Sequence, residues 1–338
     1  MSVLSLPDSS DTRFKLLQCW LKNLNMAVES IEPASSDASF RRYFRVLTEG
    51  RSLIVMDAPP AKEDIRPFIG VGDLFAAAGI NVPNILERDE KQGFLLLSDM
   101  GSVSYLQGLN SETVSPLYQD AIRVINRLQL NVDTRLTGLP IYNEALLSRE
   151  LSLFNEWFLK GRLRMFISDK DATILQKLSN ILIESALEQP RACVHRDYHS
   201  RNLMIVESGN PGVLDFQDAV VGPFSYDLVS LLKDCYISWP EIMIDAWVFE
   251  YHKAFCSKSI SLEQFTKWFD WMGLQRHLKA IGIFSRLHIR DAKADYLSDI
   301  PRTMNYVSCV AKKYSELHEF DEFLHTEIIG RIGEVTSE

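Results

Sequence analysis

The chain lacks the features that mark several large classes of protein. Its 338 residues include five cysteines, at positions 19, 193, 235, 256 and 309. They are odd in number, scattered and never spaced as Cys-x-x-Cys, which argues against a disulfide framework and a structural zinc site. Reduced thiols in a cytoplasmic protein are the expectation. No run of eighteen or more apolar residues occurs, so no membrane span is expected. The first residues lack the basic-then-apolar order of a secretory signal. Positive charge is also short. The 36 Lys and Arg face 45 Asp and Glu, leaving a net charge of −9 and a pI near 5.4. A general nucleic-acid binder needs the opposite field, to displace counterions. There is no Gly-x-x-x-x-Gly-Lys-Ser/Thr, which excludes the P-loop class. Internal repeats and low-complexity tracts are absent as well.

What is present is an ordinary globular composition, 46% hydrophobic and 24% charged. The length suits one large domain or two lobes. Residues 11–25 carry Phe14, Leu17, Leu21 and Leu24 at helical spacing, with Asp11 as the cap. Strands are expected from Phe40 to Leu47 and from Ser52 to Asp57. A helix over 63–79 ends near Gly79. A hairpin over 82–88 and 94–98 follows. Beyond Gly101 the pattern turns helical over 111–131, 143–160 and 171–188. Short strands around 192–194, 203–206 and 212–216 interrupt it, and helix resumes from Ser225. The fold class is therefore α+β. A small mixed lobe over 1–98 precedes a larger, mainly helical lobe over 99–338, with a hinge near 97–101.

Two segments carry the chemistry. Residues 195–202 read His-Arg-Asp-Tyr-His-Ser-Arg-Asn, and residues 213–218 read Val-Leu-Asp-Phe-Gln-Asp. Moving the γ-phosphate of ATP needs one carboxylate near the acceptor hydroxyl. It also needs an amide and a second carboxylate to hold Mg2+. Asp197, Asn202 and Asp215 are the right groups in the order and spacing of a kinase catalytic loop. Asp197 is the candidate base, and Asn202 and Asp215 are the candidate magnesium ligands. Any one of them alone would more simply be a turn or cap residue. The joint pattern carries the reading. His195 reads as a buried histidine holding the loop. His199 reads either as a neighbour of the γ-phosphate or as an exposed loop residue. Asp227 caps the apolar helix after it or accepts hydrogen bonds from the loop. Asp218 faces the acceptor or sits in the following turn.

In the first lobe, small residues from Ser35 to Ser39 would let backbone amides approach phosphates. Arg41, Arg42 and Arg45 follow. Alternation puts Arg41, Tyr43 and Arg45 on one strand face, and Arg42, Phe44 and Val46 on the other. Ser39, Arg41, Arg42 and His199 are thus candidate cofactor contacts, against the alternative of a solvated edge strand.

These segments resemble the aminoglycoside phosphotransferase and choline kinase group from about residue 25 to 310. That group has a protein-kinase-like two-lobed fold. More narrowly, Ser-Asp-Ala-Ser-Phe-Arg-Arg-Tyr-Phe-Arg (36–45), Met-Asp-Ala-Pro-Pro (56–60) and residues 195–204 look like the bacterial N-acetylmuramate/N-acetylglucosamine anomeric kinases. So do residues 215–220 and 226–232. The resemblance implies ATP and Mg2+ as cofactors, and a small sugar as acceptor, phosphorylated on C1 in cell-wall sugar recycling. It also implies that Ser98 and Met100, through carbonyl and amide, bind the adenine edge. One departure stands out. The lysine that related kinases carry on the third strand is missing from Leu53-Ile54-Val55-Met56-Asp57. An arginine at 41, 42 or 45, or Lys62, is left to take its place.

Candidate acceptor contacts are Arg149 and Glu150, beside Phe154 and Trp157, then Gln275-Arg276-His277 and residues 285–291. An arginine would suit the lactyl carboxylate of N-acetylmuramate. The residues leave open choline, homoserine or an aminoglycoside as acceptor, and a binding module without turnover. Nothing in the pattern selects an oligomeric state.

Overall fold

The computed structural model describes residues 11–36, 40–135 and 137–335. The chain divides into two compact units. One comprises Met1–Val103 with Met204–Asp218, the other Ser104–Leu203 with Ala219–Glu338.

The first unit opens with helix α1 (Thr12–Asn23), whose Asp11 cap accepts a hydrogen bond from the Phe14 amide. Its buried stripe of Phe14, Leu17, Trp20 and Leu21 packs on Phe44, Val46, Val55, Phe94 and Leu96 of the sheet. That sheet holds strands β1 (Val28–Ser36), β2 (Arg42–Thr48), β3 (Arg51–Asp57), β4 (Ile85–Asp89) and β5 (Phe94–Ser98). They pair antiparallel in the order β1-β2-β3-β5-β4. Strand β1 was not foreseen. Pro33 interrupts its pattern, and its ladder slips between Val28 and Ser30 and again between Pro33 and Ser35. Such irregularity is tolerated at a sheet edge. The β2 pairing begins at Arg42 and not at Phe40, whose ring is exposed. Helix α2 (Arg66–Ala77) crosses between β3 and β4.

The second unit is mostly helical. A short turn of helix α3 (Tyr105–Gly108) leads to α4 (Val114–Asn131) and α5 (Glu144–Leu153). At Phe154 the winding loosens into a π-helix through Arg162, where one regular helix was expected. Helix α6 (Asp169–Glu188) follows, started by a Ser168/Asp171 capping box. Strand β6 (Arg191–Val194) delivers the first motif, and short strands β7 (Leu203–Met204) and β8 (Gly212–Val213), the latter in the Met204–Asp218 segment of the first unit, lead to the second. The second motif is not a strand beyond Val213. Strand β9 (Val220–Pro223) returns antiparallel to β6. Helices α7 (Tyr226–Leu232), α8 (Glu241–Phe255), α9 (Leu262–Asp291) and α10 (Ile300–Lys313) complete the part that frames the site. The long α9 is buried on nearly every side, so even Gln275, Arg276 and Lys279 are inside. Among the described residues no helix is long and apolar enough to cross a membrane.

Candidate active site

The β6 strand hands the chain to the loop His195–Asn202, and Arg196 there has φ 77. A side chain in the left-handed region is strained and persists only when its surroundings hold it. Asp227, wholly buried in the first turn of α7, does so. Its carboxylate accepts the His195 amide at 2.8 Å and the Arg196 amide at 3.1 Å. The Arg196 guanidinium is tied to Glu150 at 2.5 Å. His195 is buried, and its Nδ1 accepts the Asp197 amide at 3.2 Å. Asp234 accepts the Ser200 amide at 2.9 Å. The Asp197 carbonyl accepts Asn202 Nδ2 at 3.0 Å and the His199 amide at 3.1 Å. The backbone that carries Asp197 is therefore fixed from several directions, which is what positioning a base requires.

Burial alone would raise the Asp197 carboxyl. Lys279, His199, Arg196 and Arg276 outweigh that and hold it below its usual range. The candidate base is ionised at neutral pH. His199 is different. Burial pushes its imidazole down to about 4, and its ring lies edge-on to Tyr236. It is not an exposed loop residue, and its burial disfavours the charged form.

Beneath the loop lies a polar cluster that the sequence did not reveal as a unit. The buried Glu150 carboxylate receives Arg196, Lys279 at 3.0 Å, Gln275 at 3.1 Å and the Tyr142 hydroxyl. Lys279 also donates to the Tyr226 hydroxyl at 3.2 Å. Burial opposes the charge on Glu150, and Lys279 with Arg196 overcomes it, leaving the carboxyl lowered. Glu150 was a candidate sugar contact. Its oxygens are instead engaged in bracing α5, α9 and the catalytic loop. Arg149 beside it is exposed.

In the first unit, Asp215 has φ 61 and its side chain is 33% exposed. The neighbouring Phe216 is wholly buried against Phe68 and Phe75 of α2, with ring centroids 4.8 and 5.8 Å away. A Cβ on Gly72 would meet the Phe216 ring at 3.3 Å, so a small residue is needed there. Gln217 donates to Asp215 Oδ1 at 2.8 Å. Arg41 lies 3.8 Å from the same oxygen.

The arginines of this region separate. Arg42 binds Asp11 and Asp57, and Arg13 shares the buried Asp57. That commitment to two carboxylates opposes the expected phosphate contact for Arg42. Arg45 pairs with Asp99 at 2.7 Å and with the Gly101 carbonyl at 2.9 Å, bracing the 98–101 segment. Lys62 lies over the exposed Phe40 ring at 4.3 Å. Of these, Arg41 is the cation beside Asp215. Ser98 takes and gives hydrogen bonds with the Asn84 backbone. The Met100 sulfur would lie 3.1 Å from a Cβ at Gly212. Ser39 lies outside the described residues.

Magnesium prefers oxygen donors, keeps waters and needs only one or two protein ligands when phosphates supply the rest. The residues fit that requirement. Asn202 has its amide nitrogen tied to the Asp197 carbonyl, which makes the amide oxygen its donor toward a metal. Asp215 is a carboxylate partly open to solvent. Among the described residues no cluster of three or more His, Cys, Asp or Glu could hold a metal by itself.

A model of the phosphotransferase enzyme family matches residues 30–261. An N-acetylmuramate/N-acetylglucosamine kinase from Pseudomonas aeruginosa is 45% identical over 94% of this chain and 97% of its own. The enzyme of the same name from Neisseria meningitidis is 40% identical over 88% of this chain and 90% of its own. Among solved structures, an ADP-bound aminoglycoside phosphotransferase superposes with TM-score 0.59 at 13% identity, covering 88% of this chain and 97% of that one. A choline kinase from Streptococcus pneumoniae gives TM-score 0.63 at 12% identity, covering 88% and 99%. At such identities these two establish the fold alone, and it is the kinase-like fold expected from the sequence.

Proposed function

The chain belongs to the phosphotransferase enzyme family, and from that premise we propose that it moves the γ-phosphate of ATP to the C1 hydroxyl of N-acetylmuramate and N-acetylglucosamine. The observation that carries the acceptor is the 45% identity, over nearly the full length of both chains, to a kinase named for those two sugars. The loop geometry supports the chemistry. An ionised Asp197, held through its own amide and carbonyl, would accept a hydrogen bond from the acceptor hydroxyl and orient it for in-line attack. A C1 hydroxyl is a hemiacetal and more acidic than an ordinary alcohol. Orientation is therefore the larger part of the Asp197 role.

Asn202 and Asp215 would hold Mg2+, which when bound neutralises charge on the phosphate oxygens. Arg41, beside Asp215, takes the place of the missing strand lysine. The 98–101 segment, braced by Asp99 and Arg45, would present the Ser98 carbonyl and Met100 amide to adenine. A cytoplasmic location belongs to the same proposal, on the strength of five free cysteines.

The test is incubation with Mg-ATP and each sugar, followed by phosphorus NMR, with choline and kanamycin as comparison acceptors. A sugar-1-phosphate signal is expected. Asp197→Asn should lower turnover by roughly 10²–10⁴-fold while leaving acceptor binding measurable. Turnover on choline or kanamycin alone would replace the acceptor. Near-native turnover in the variant would remove Asp197 from the mechanism.

A further inference from the structure

A buried cation is unfavourable unless an anion answers it. Among the described residues of the second unit, three lysine and arginine side chains are buried: Lys233, Arg276 and Lys279. Lys233 lies 3.1 Å from Asp270, and Lys279 lies 3.0 Å from Glu150. Arg276 is 6% exposed and has no such carboxylate among the described residues. It donates from Nη1 to the Cys235 sulfur at 3.6 Å. A thiol is a weak acceptor, and burial pushes the Cys235 thiol up, so it stays neutral.

Two carboxylates, Asp234 and Asp197, are near enough to act on Arg276 electrostatically, but neither pairs with it directly. Both have other work. Asp234 accepts the Ser200 amide at 2.9 Å and the Tyr236 amide at 2.8 Å. Asp197 is the base. The neighbours of Arg276 on α9, Gln275 and Lys279, are tied to Glu150, which fixes that stretch of helix beneath the catalytic loop. The surrounding groups thus favour the Arg276 charge from a distance, but among the described residues no carboxylate bonds to its guanidinium, which lies near Asp197 and so near the place where the acceptor hydroxyl must lie. A planar guanidinium is suited to receive a carboxylate through two parallel hydrogen bonds.

We propose that Arg276 binds the acceptor's own carboxylate, the lactyl group on C3 of N-acetylmuramate, and so sets the preference between the two sugars. This rests on the acceptor reading given above. N-acetylglucosamine has no carboxylate and binds without the contact. Arg276 is thus a specificity residue, distinct from Lys279, whose charge is already answered by Glu150.

The experiment is steady-state kinetics on both sugars with the full-length enzyme and with Arg276→Gln. The methyl ester of N-acetylmuramate is a third acceptor for the unaltered enzyme. For the variant, kcat/KM should fall roughly 10- to 150-fold more for N-acetylmuramate than for N-acetylglucosamine, mainly through KM, as expected for one charge-assisted contact. The ester on the unaltered enzyme should show the same KM rise. Equal losses on the two sugars would overturn the assignment and leave Arg276 a structural or base-positioning role. An unchanged ratio would overturn it too. Where the variant fails to fold, the ester decides, and an ester as good as the acid rules the contact out. An unaltered enzyme that phosphorylates neither sugar would sink the acceptor reading itself, and the Arg276 assignment with it.

Discussion

The two acidic motifs are held in opposite ways. Around Asp197 buried hydrogen bonds inside the second unit do most of the holding, through Asp227, Asp234, His195 and the Glu150 cluster. Around Asp215, in the first unit, apolar packing of Phe216 against α2 does most of the holding. The Asp215 carboxylate itself is left a third exposed, with Arg41 as a distant ion-pair partner. A base needs a fixed direction toward its acceptor, and buried hydrogen bonds supply that. A candidate metal ligand would have to exchange partners as a nucleotide enters and leaves, and a side chain one-third exposed permits that.

The comparison can be broken most severely at Glu150. Glu150→Gln would leave Lys279 and Arg196 short of a counterion, and stability should fall by about 3–5 kcal/mol in denaturant titration. Adding Lys279→Met should restore part of that loss. A double variant showing only the sum of two separate losses would mean the pair is not coupled. Next comes Asp227→Ala, which orphans the His195 and Arg196 amides. Each buried unsatisfied N–H costs about 1–3 kcal/mol. The strained Arg196 conformation should relax, so turnover should fall together with stability. A variant with native melting and turnover would show that Asp227 does not hold the loop.

An effect of comparable size is read from pH. Burial pushes His277 down to about 3, and its Nε2 lies 2.8 Å from the Lys233 carbonyl. Because its folded value lies below its unfolded value, the unfolded chain binds the extra proton first. Its stabilisation is complete above about pH 6.5 and is lost as pH falls toward 3, at up to about 1.4 kcal/mol per pH unit. His277→Phe should flatten the acid limb of a stability-versus-pH curve, and an unchanged limb would assign that limb to other groups. The smallest structural effect belongs to Arg41→Ala. Its ion pair with Asp215 is long, at 3.8 Å, and Asp215 is a third exposed, so loss of that pair should change stability by less than about 1 kcal/mol. The KM for ATP should nonetheless rise roughly tenfold, about 1.4 kcal/mol of binding. Nucleotide affinity left intact would return the lysine's role to another cation.

Much of this was legible before any coordinates, because it obeys local rules. The α1 cap and stripe follow from helical period and from Asp11. The β2 faces follow from alternation, and the face shared by Phe44 and Val46 is the buried one. Strand β1 was missed because Pro33 and its bulges break the period that betrays a strand. The strand expected through 216 stops at Val213, because φ 61 at Asp215 turns the chain where the apolar pattern carries on.

By itself the sequence determined which groups could do the chemistry. Asp197, Asn202 and Asp215 are close-range features of two short segments, and their types and spacing survive any packing. Only the tertiary structure decided how those groups are held and which carboxylate each neighbouring cation faces. Arg41, Arg42 and Arg45 are alike as letters. Buried Asp57 takes Arg42, Asp99 takes Arg45, and Arg41 is left beside Asp215. Glu150 changed roles for the same reason. A charge is defined by what faces it in a low-dielectric interior. Those partners come from distant helices whose meeting has no local signature.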